Sequence, residues 1–415
     1  MAERLGVWLD GVRVADLERR AANRIACRYT EEALDLWPQN SPVLSCGLPL
    51  SSRPQDALAF CRGLLPEGNA LLAMAQQAGL AANDAFGLLA RYGRDVAGAL
   101  VVSAQEPDER RFDVQAYTPG GLEEALEELD DHPLGLHDDS ELSLAGLQDK
   151  LLLVELDAGS WGRPLRGLPS THILKLDDQV RPGLVEAEAH CLQLARAAGL
   201  TDIDIKLEAI GNFRCLIVTR FDRAPGPGGT RRIHQEDLCQ ALGVDSEDRR
   251  RRAKYERAGG PSFRQAARLL DSYAEDPAAE LDRLAAVVAF TVLIGNADAH
   301  GKNLALLHPT AERVRLAPLY DTVPTALWPR LRREAAMSIG AQVVLADVTM
   351  SDIGREARAW RHPEDRARTA ALATIAAVTE AIESEAIPPD SPVARFVRRR
   401  AAELTGNHSS RFGEA

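Results

Sequence analysis

Hydrophobic and polar positions alternate with period two at the start of the chain. Gly6-Val-Trp-Leu-Asp-Gly-Val-Arg-Val14 sets two short alternating runs on either side of Asp10-Gly11, the dipeptide of a type I′ hairpin, so the chain is expected to open on sheet. From Pro54 to Arg94 the period changes to that of a helix. Ala57-Leu-Ala-Phe60 with Leu64-Leu65, then Leu71-Leu-Ala-Met74, then Ala85-Phe-Gly-Leu-Leu89 are separated by Pro66-Glu-Gly68 and Gly79, which predicts three short helices. Gly98-Ala-Leu-Val-Val-Ser103 returns to strand and closes a small α+β unit. Residues 104–120 are polar with two prolines and suit a boundary, and an acidic helix follows from Gly121 to Asp131, a solvated face rather than a metal site.

Further on, Leu151-Leu-Leu-Val-Glu155 and Thr171-His-Ile-Leu-Lys-Leu176 have strand patterns, and Val185 to Gly199 is an amphipathic helix with a glycine stop. Two more strands are expected at Ile205–Ile210 and Arg214–Thr219, then a connector through Gly226-Pro-Gly-Gly229. From His234 onward the pattern is mainly helical, with a long Ala-rich helix from Ala367 to Glu385 and frayed residues after Thr405. Within this half, the apolar run ending at Ile294 breaks into a polar loop carrying Asp298, His300, Lys302 and Asn303, which feeds a short apolar strand. Charge is thereby set at the edge of a core.

Composition narrows the class. With 415 residues, 45% hydrophobic and 27% charged, the chain reads as an ordinary soluble globular protein of two or three domains. A net charge of -12 argues against non-specific nucleic-acid binding by its own surface, because such binding is dominated by phosphate neutralisation. The run Arg249–Arg252 is either solvated or touches nucleic acid or an acidic partner. Six cysteines (27, 46, 61, 191, 215 and 239) lack CxxC pairing and zinc-like histidine spacing, so reduced core thiols in the cytoplasm are expected. Neither a signal peptide nor a membrane span is expected, the longest apolar run being Leu284 to Ile294.

The polar loop carries the chemistry. Phosphoryl transfer needs a carboxylate to orient and deprotonate the attacking hydroxyl, an amide oxygen to hold Mg²⁺, and a second carboxylate to bridge the metal to the phosphates. Asp298, Asn303 five positions later and Asp321 fit those roles in order. Gly, Asn, Asp and His also build ordinary surface loops, so the loop alone leaves both readings open. It is not a calcium loop: Leu307 stands where an EF-hand requires a bidentate glutamate.

Two other stretches point toward phosphates. Ser140-Glu-Leu-Ser-Leu-Ala-Gly-Leu-Gln-Asp-Lys150 delivers a lysine from a glycine-bearing turn to the mouth of a strand, where backbone N–H groups and an ammonium can approach an anion. It lacks GxxxxGK[ST], and taken alone a β-turn is the simpler explanation. Lys175 lies among apolar strand neighbours, so it either snorkels or meets an anion. Glu186 and Glu188 fall at the start of the next helix. Glu186 is explained by the helix dipole, whereas Glu188 suits the ion pair with which a kinase fixes its phosphate-binding lysine.

The order glycine turn with lysine, strand lysine, helix glutamate, Asp-x₄-Asn and metal aspartate is that of a two-lobed kinase. The local strings are more specific, and the chain resembles the HipA family of bacterial serine/threonine-kinase toxins. The match runs from Trp8 and Asp10-Gly11 through Leu48-Pro-Leu50, Leu64-Leu-Pro66, Arg91-Tyr-Gly-Arg-Asp-Val-Ala-Gly-Ala99, Leu144-Ala-Gly-Leu-Gln-Asp-Lys150 and Thr171-His-Ile-Leu-Lys175. It continues through Arg220-Phe-Asp-Arg223, His234 to Gln240, Lys254-Tyr-Glu256, Gly259-Gly-Pro261, Gly295 to Asn303 and Leu319-Tyr-Asp321.

The resemblance implies an α+β, two-lobed protein-kinase-like fold: an N-terminal α+β subdomain (1–110), an N-lobe with phosphate-covering turn and hinge (111–223) and a mainly helical C-lobe (224–415). It implies an ATP- and Mg²⁺-dependent kinase with Asp298 as catalytic base and Asn303 and Asp321 as metal ligands. Lys175 contacts the phosphates with Glu188 orienting it, and backbone around Thr219 to Phe221 holds adenine. The turn Leu144, Ala145, Gly146, Leu147, Gln148, Asp149 and Lys150 covers the phosphates, and His300 and Lys302 lie near the ribose or the transferring group. Ser143 stands where the family carries an autophosphorylated serine, with Ser140 as its neighbour. The implied partners are a HipB-like helix-turn-helix antitoxin, operator DNA reached through it, and a protein substrate such as an aminoacyl-tRNA synthetase. Two positions depart from the family: Thr219 where glutamate is frequent before Arg220, and Asp149 where glutamate is usual before Lys150.

Two other functions compete. A small-molecule kinase has no need of the N-terminal α+β unit. A catalytically silent corepressor of the antitoxin has no physical need of Lys175, Asp298, Asn303 and Asp321.

Overall fold

The structure, a computed structural model, describes residues 3–406 apart from 119, 130, 131, 133, 136, 138, 139, 146–148, 178, 179, 227, 228 and 247–252. The chain forms two compact units, each built from separate stretches: Met1–Asp177 with Asp204–Lys254 and Ala305–Ala317, and Asp178–Ile203 with Tyr255–Leu304 and Pro318–Ala415.

The first unit opens as the alternation requires. Arg4–Leu9 and Val12–Arg19 pair antiparallel, and Asp10 and Gly11 take φ of 50° and 80°, the left-handed pair of a type I′ turn. They belong to a five-stranded sheet in the order Gln55–Asp56, Ile25–Tyr29, Val12–Arg19, Arg4–Leu9, Val101–Ser103. The expected helices are Leu58–Gly63, Gly68–Gln77 and Ala85–Tyr92; their Phe60, Met74, Leu88 and Tyr92 share one core with Leu5, Val7, Leu17 and Ile25 of the sheet.

A second sheet has six antiparallel strands in the order Ile205–Ile210, Phe213–Thr219, His172–Leu176, Lys150–Glu155, Trp161–Leu165, Asp113–Ala116. Here the sequence expectation is corrected, because the polar stretch 104–120 contributes the edge strand Asp113–Ala116 rather than a boundary alone. No residue of that strand is fully buried, so its composition carries no hydrophobic signal. One face of the sheet places Leu151, Leu153, Leu174 and Ile217 against Leu122 and Leu126 of helix Gly121–Glu127, and on the other face Leu152 and Ile173 join the larger core.

The exit of strand Phe213–Thr219 is braced by buried charges. Arg220 and Arg223 hold Asp222 at 2.8 and 3.1 Å, and Arg223 reaches Asp95 at 2.8 Å. Burial would raise both carboxyls, but the arginines win and hold them below the usual carboxylate range.

The mainly helical expectation after His234 holds for the second unit but misses three short ladders. Gln235–Asp237, Ala305–Thr310 and Arg313–Leu316 form a sheet in the first unit, and Glu334–Ile339 pairs with Gln342–Val344 in the second. A strand such as Gln-Glu-Asp is too short and polar to show period two; its partner Ala305–Leu307 specifies it.

The second unit packs around helix Pro277–Ile294, buried along nearly its whole second half. Asp276 caps its start by accepting the N–H of Ala279, and Gly295 ends it at φ 70°. Helices Leu184–Ala197, Phe263–Tyr273, Met350–Ala359, Glu364–Glu383 and Pro392–Thr405 complete the unit. All six cysteines are buried free thiols. Among the described residues no helix is long and apolar enough to cross a membrane.

Candidate active site

In the second unit the loop after Gly295 is held from several directions. A Cβ at Gly295 would lie 2.7 Å from both Ala326 Cβ and Phe396 Cζ, so glycine is required by close approach as well as by its left-handed backbone. Ala297 N–H donates to Thr325 Oγ1 (2.8 Å) and its carbonyl accepts Ala336 N–H (3.0 Å). Asp298 N–H donates to Asn296 Oδ1 at 3.0 Å, and Asp298 C=O accepts His300 N–H (2.7 Å) and the Asn303 side-chain amide (3.1 Å). The Asp-x₄-Asn spacing thus closes a turn in which the two candidate functional residues fix each other.

The segment carrying Asp321 is tied to this loop. Tyr320 O–H donates to Lys302 C=O at 2.7 Å, and Leu319 N–H donates to Leu200 C=O at 2.9 Å. Asp321 has φ 52°, a left-handed conformation that aspartate tolerates better than most residues and that recurs at functional positions. His300 and Lys302 are buried, whereas the Asp298 side chain is exposed. Beneath the loop, Phe290, Ile294 and Leu319 line a small apolar pocket reaching Asn296 and Asn303.

The donors suit a hard cation. Asn303 gives its NH₂ to the loop, so its oxygen is not consumed by that bond, and Asp321 carries a carboxylate on the segment that Tyr320 ties to Lys302. Oxygen donors of this kind fit Mg²⁺, which takes few protein ligands and completes its shell with water and substrate phosphates. Among the described residues no cluster of three or more His, Cys, Asp or Glu able to hold a metal occurs.

Sequence reasoning missed one member of this site. Tyr255 O–H donates to Asp298 Oδ1 at 2.8 Å, and its ring packs edge-on against His300 at 5.4 Å. Lys254-Tyr-Glu256 is visible in the sequence only as a family string; no spacing rule connects Tyr255 to Asp298. Glu188 also belongs to this unit. It is 1% exposed on helix Leu184–Ala197, while Glu186 is exposed in the first turn.

The first unit holds the other set. Lys150 and Lys175 are direct cross-strand partners, each 8% exposed, and Lys150 Nζ donates to Ala145 C=O at 2.7 Å. Residues directly opposed in this way share one face of the sheet. Thr219 ends the neighbouring strand: its N–H donates to Asp204 C=O (3.0 Å), its hydroxyl accepts Asp204 N–H (2.9 Å), and Arg220 N–H donates to Thr171 C=O (2.9 Å). Those groups serve the fold, while Phe221 is half-buried beside them. Ser143 is fully buried, its hydroxyl donating to Leu64 C=O (2.9 Å) and its N–H to Asp95 C=O (2.8 Å). Ser140 is equally buried and accepts from His137 N–H and Arg163. Leu144 and Ala145 are half-buried and Asp149 is exposed. Gly146, Leu147 and Gln148 lie outside the described residues, as do four others named from the sequence, Arg249 to Arg252.

Comparison with known proteins gives these residues a setting. Residues 5–103 match the HipA N-terminal domain and residues 142–386 the HipA-like C-terminal domain. The chain is 38% identical to Y4mE of Sinorhizobium fredii over 83% of this chain and 82% of that protein. It is 30% identical to the serine/threonine-protein kinase toxin HipA of Shewanella oneidensis, over 77% and 74% of the two chains. A solved complex of Shewanella oneidensis HipA with HipB and its operator DNA contains a chain of the same fold, with TM-score 0.80 and 24% identity, covering 97% of this chain and 96% of that one.

Proposed function

The chain belongs to the HipA family, and on that premise we propose that it is an ATP- and Mg²⁺-dependent serine/threonine-protein kinase acting as the toxin of a type II toxin–antitoxin pair. The observation that carries this reading is the Asp298 loop, which the Asn303 side-chain amide closes on the Asp298 carbonyl and to which Tyr320 ties the segment bearing Asp321. In the first unit Lys150 and Lys175 would hold the phosphates, and backbone near Thr219 and Phe221 would hold the base. Glu188 is assigned the orientation of Lys175.

In the second unit Asp298 would accept the proton of a serine or threonine hydroxyl. The hydroxyl oxygen then bonds to the γ-phosphorus as the bond to the β–γ bridging oxygen breaks, and ADP leaves. Mg²⁺, when bound, neutralises charge on the phosphates; Asn303 and Asp321 are the residues assigned to hold it. His300 and Lys302 border the same loop and are assigned to the ribose or the transferring group. Exposure of the Asp298 carboxylate supports its role, because a base must reach a hydroxyl from another molecule or segment.

Self-phosphorylation is assigned to Ser143, which must first leave its buried place on Leu64 and Asp95. For partners we propose a HipB-like helix-turn-helix antitoxin, with operator DNA reached through it, since a chain of net charge -12 does not itself neutralise DNA phosphates. An aminoacyl-tRNA synthetase is the proposed class of protein substrate.

The test is incubation with ATP and Mg²⁺ followed by mapping of phosphorylated residues by mass spectrometry. Phosphate is expected at Ser143 rather than Ser140. Asp298→Asn should slow incorporation by roughly 10²–10⁴-fold, the usual contribution of a general base. Undiminished labelling of that variant would refute the assignment.

A further inference from the structure

The phosphotransfer described above gives no part to Tyr255, although its hydroxyl sits on the proposed base. We propose that Tyr255 is a positioning residue: by donating to Asp298 Oδ1 at 2.8 Å it fixes the rotation of the carboxylate and leaves Oδ2 to receive the acceptor's proton. The proposal rests on the reading of Asp298 as that base.

The terminal torsion of an aspartate is broad, so its covalent geometry does not decide which oxygen faces the acceptor. The main-chain ties of Asp298, to Asn296, His300 and Asn303, fix its Cα but leave that torsion open. Among the described residues Tyr255 is the one hydrogen-bond donor to the carboxylate. A misplaced proton acceptor loses near-attack geometry, which is where much of the rate of an oriented reaction arises.

Tyr255 is itself held in place. Its carbonyl accepts the N–H groups of Ala258 (2.9 Å) and Gly260 (3.0 Å), closing a turn in which Gly259 takes φ 91°. The next residue, Glu256, accepts Ser338 N–H at 2.5 Å and Ser338 Oγ–H at 2.8 Å, pinning the turn to strand Glu334–Ile339. The ring lies edge-on to His300 at 5.4 Å, and the Arg332 guanidinium stands 4.4 Å from its centroid, a cation–π distance. The hydroxyl is therefore presented by a ring braced on two sides, the preorganisation a positioning group requires.

The experiment is a kinetic double-mutant cycle on the full chain with ATP and Mg²⁺. Tyr255→Phe keeps both ring contacts and removes only the hydroxyl. It should lower kcat about tenfold, the rate equivalent of one hydrogen bond to a charged group, and leave KM for ATP unchanged. Added to Asp298→Asn it should cause no further loss, because it acts through that carboxylate. A wild-type protein that transferred no phosphate would overturn this proposal together with the kinase reading. An active wild type accompanied by an unaltered or faster Tyr255→Phe enzyme would overturn the positioning role alone. So would a loss expressed in KM, or one that persisted in full beside Asp298→Asn.

Discussion

Lys150 and Lys175 stand directly opposite one another on the antiparallel strands Lys150–Glu155 and His172–Leu176, both nearly buried at 8% exposure. Register sets the two residues on one face of the sheet, and the proposed function assigns that face to the nucleotide phosphates.

Nucleotide should therefore stabilise the protein, and the lysine pair should set the size of the effect. At about one hundred times its dissociation constant a ligand adds about 2.7 kcal/mol to the folded state. Mg²⁺ and ATP are expected to raise the unfolding midpoint of the wild type, and Lys175→Met should remove about half of that shift or more. Calorimetric titration should show an affinity at least about tenfold weaker, the loss of one charge-assisted contact. Equal affinities would exclude Lys175 from the nucleotide site.

Gly295 makes a separate prediction. Its left-handed backbone, φ 70°, and the 2.7 Å approach of Ala326 and Phe396 both oppose a side chain. Gly295→Ala should destabilise by more than about 1–2 kcal/mol, the backbone term alone, and should displace the loop that presents Asp298. Urea unfolding combined with a transfer assay checks both, and an unchanged midpoint would contradict the packing described.

A pH dependence follows from His234. The ring donates through Nε2 to Leu44 C=O at 2.8 Å and lies 4.6 Å from the His308 ring. Burial, reinforced by His308, pushes its pKa down to about 3. With the folded pKa below the unfolded one, its contribution is complete above pH ~6.5 and is lost as pH falls toward 3, because only the unfolded chain takes up the proton. Between pH 7 and pH 5 the wild type should lose on the order of 2 kcal/mol from this group. His234→Gln should flatten that slope in urea titrations at the two pH values; parallel losses would show that another group is responsible.

The sequence carried much of this fold because local rules sufficed for it. Asp10-Gly11 specified the first turn, the break after the apolar run to Ile294 marked the end of the central helix, and apolar helical spacing marked Leu58 to Tyr92. The edge strand Asp113–Ala116 escaped notice because exposure leaves no alternation to detect, and Gln235–Asp237 because three residues are too few. In both cases pairing with a distant strand decides the conformation.

The candidate site divides along the same line. Asp298 and Asn303 are close in sequence, so their spacing alone implied a shared loop, and the side-chain amide of Asn303 on the Asp298 carbonyl realises it. The opposition of Lys150 to Lys175 depends on strand register, and the hydroxyl of Tyr255 on Asp298 depends on a turn docking from 43 residues away. Residue types and short-range spacing are written along the chain. Which distant side chains meet is settled only when long loops close and one packed arrangement buries more apolar surface than its competitors.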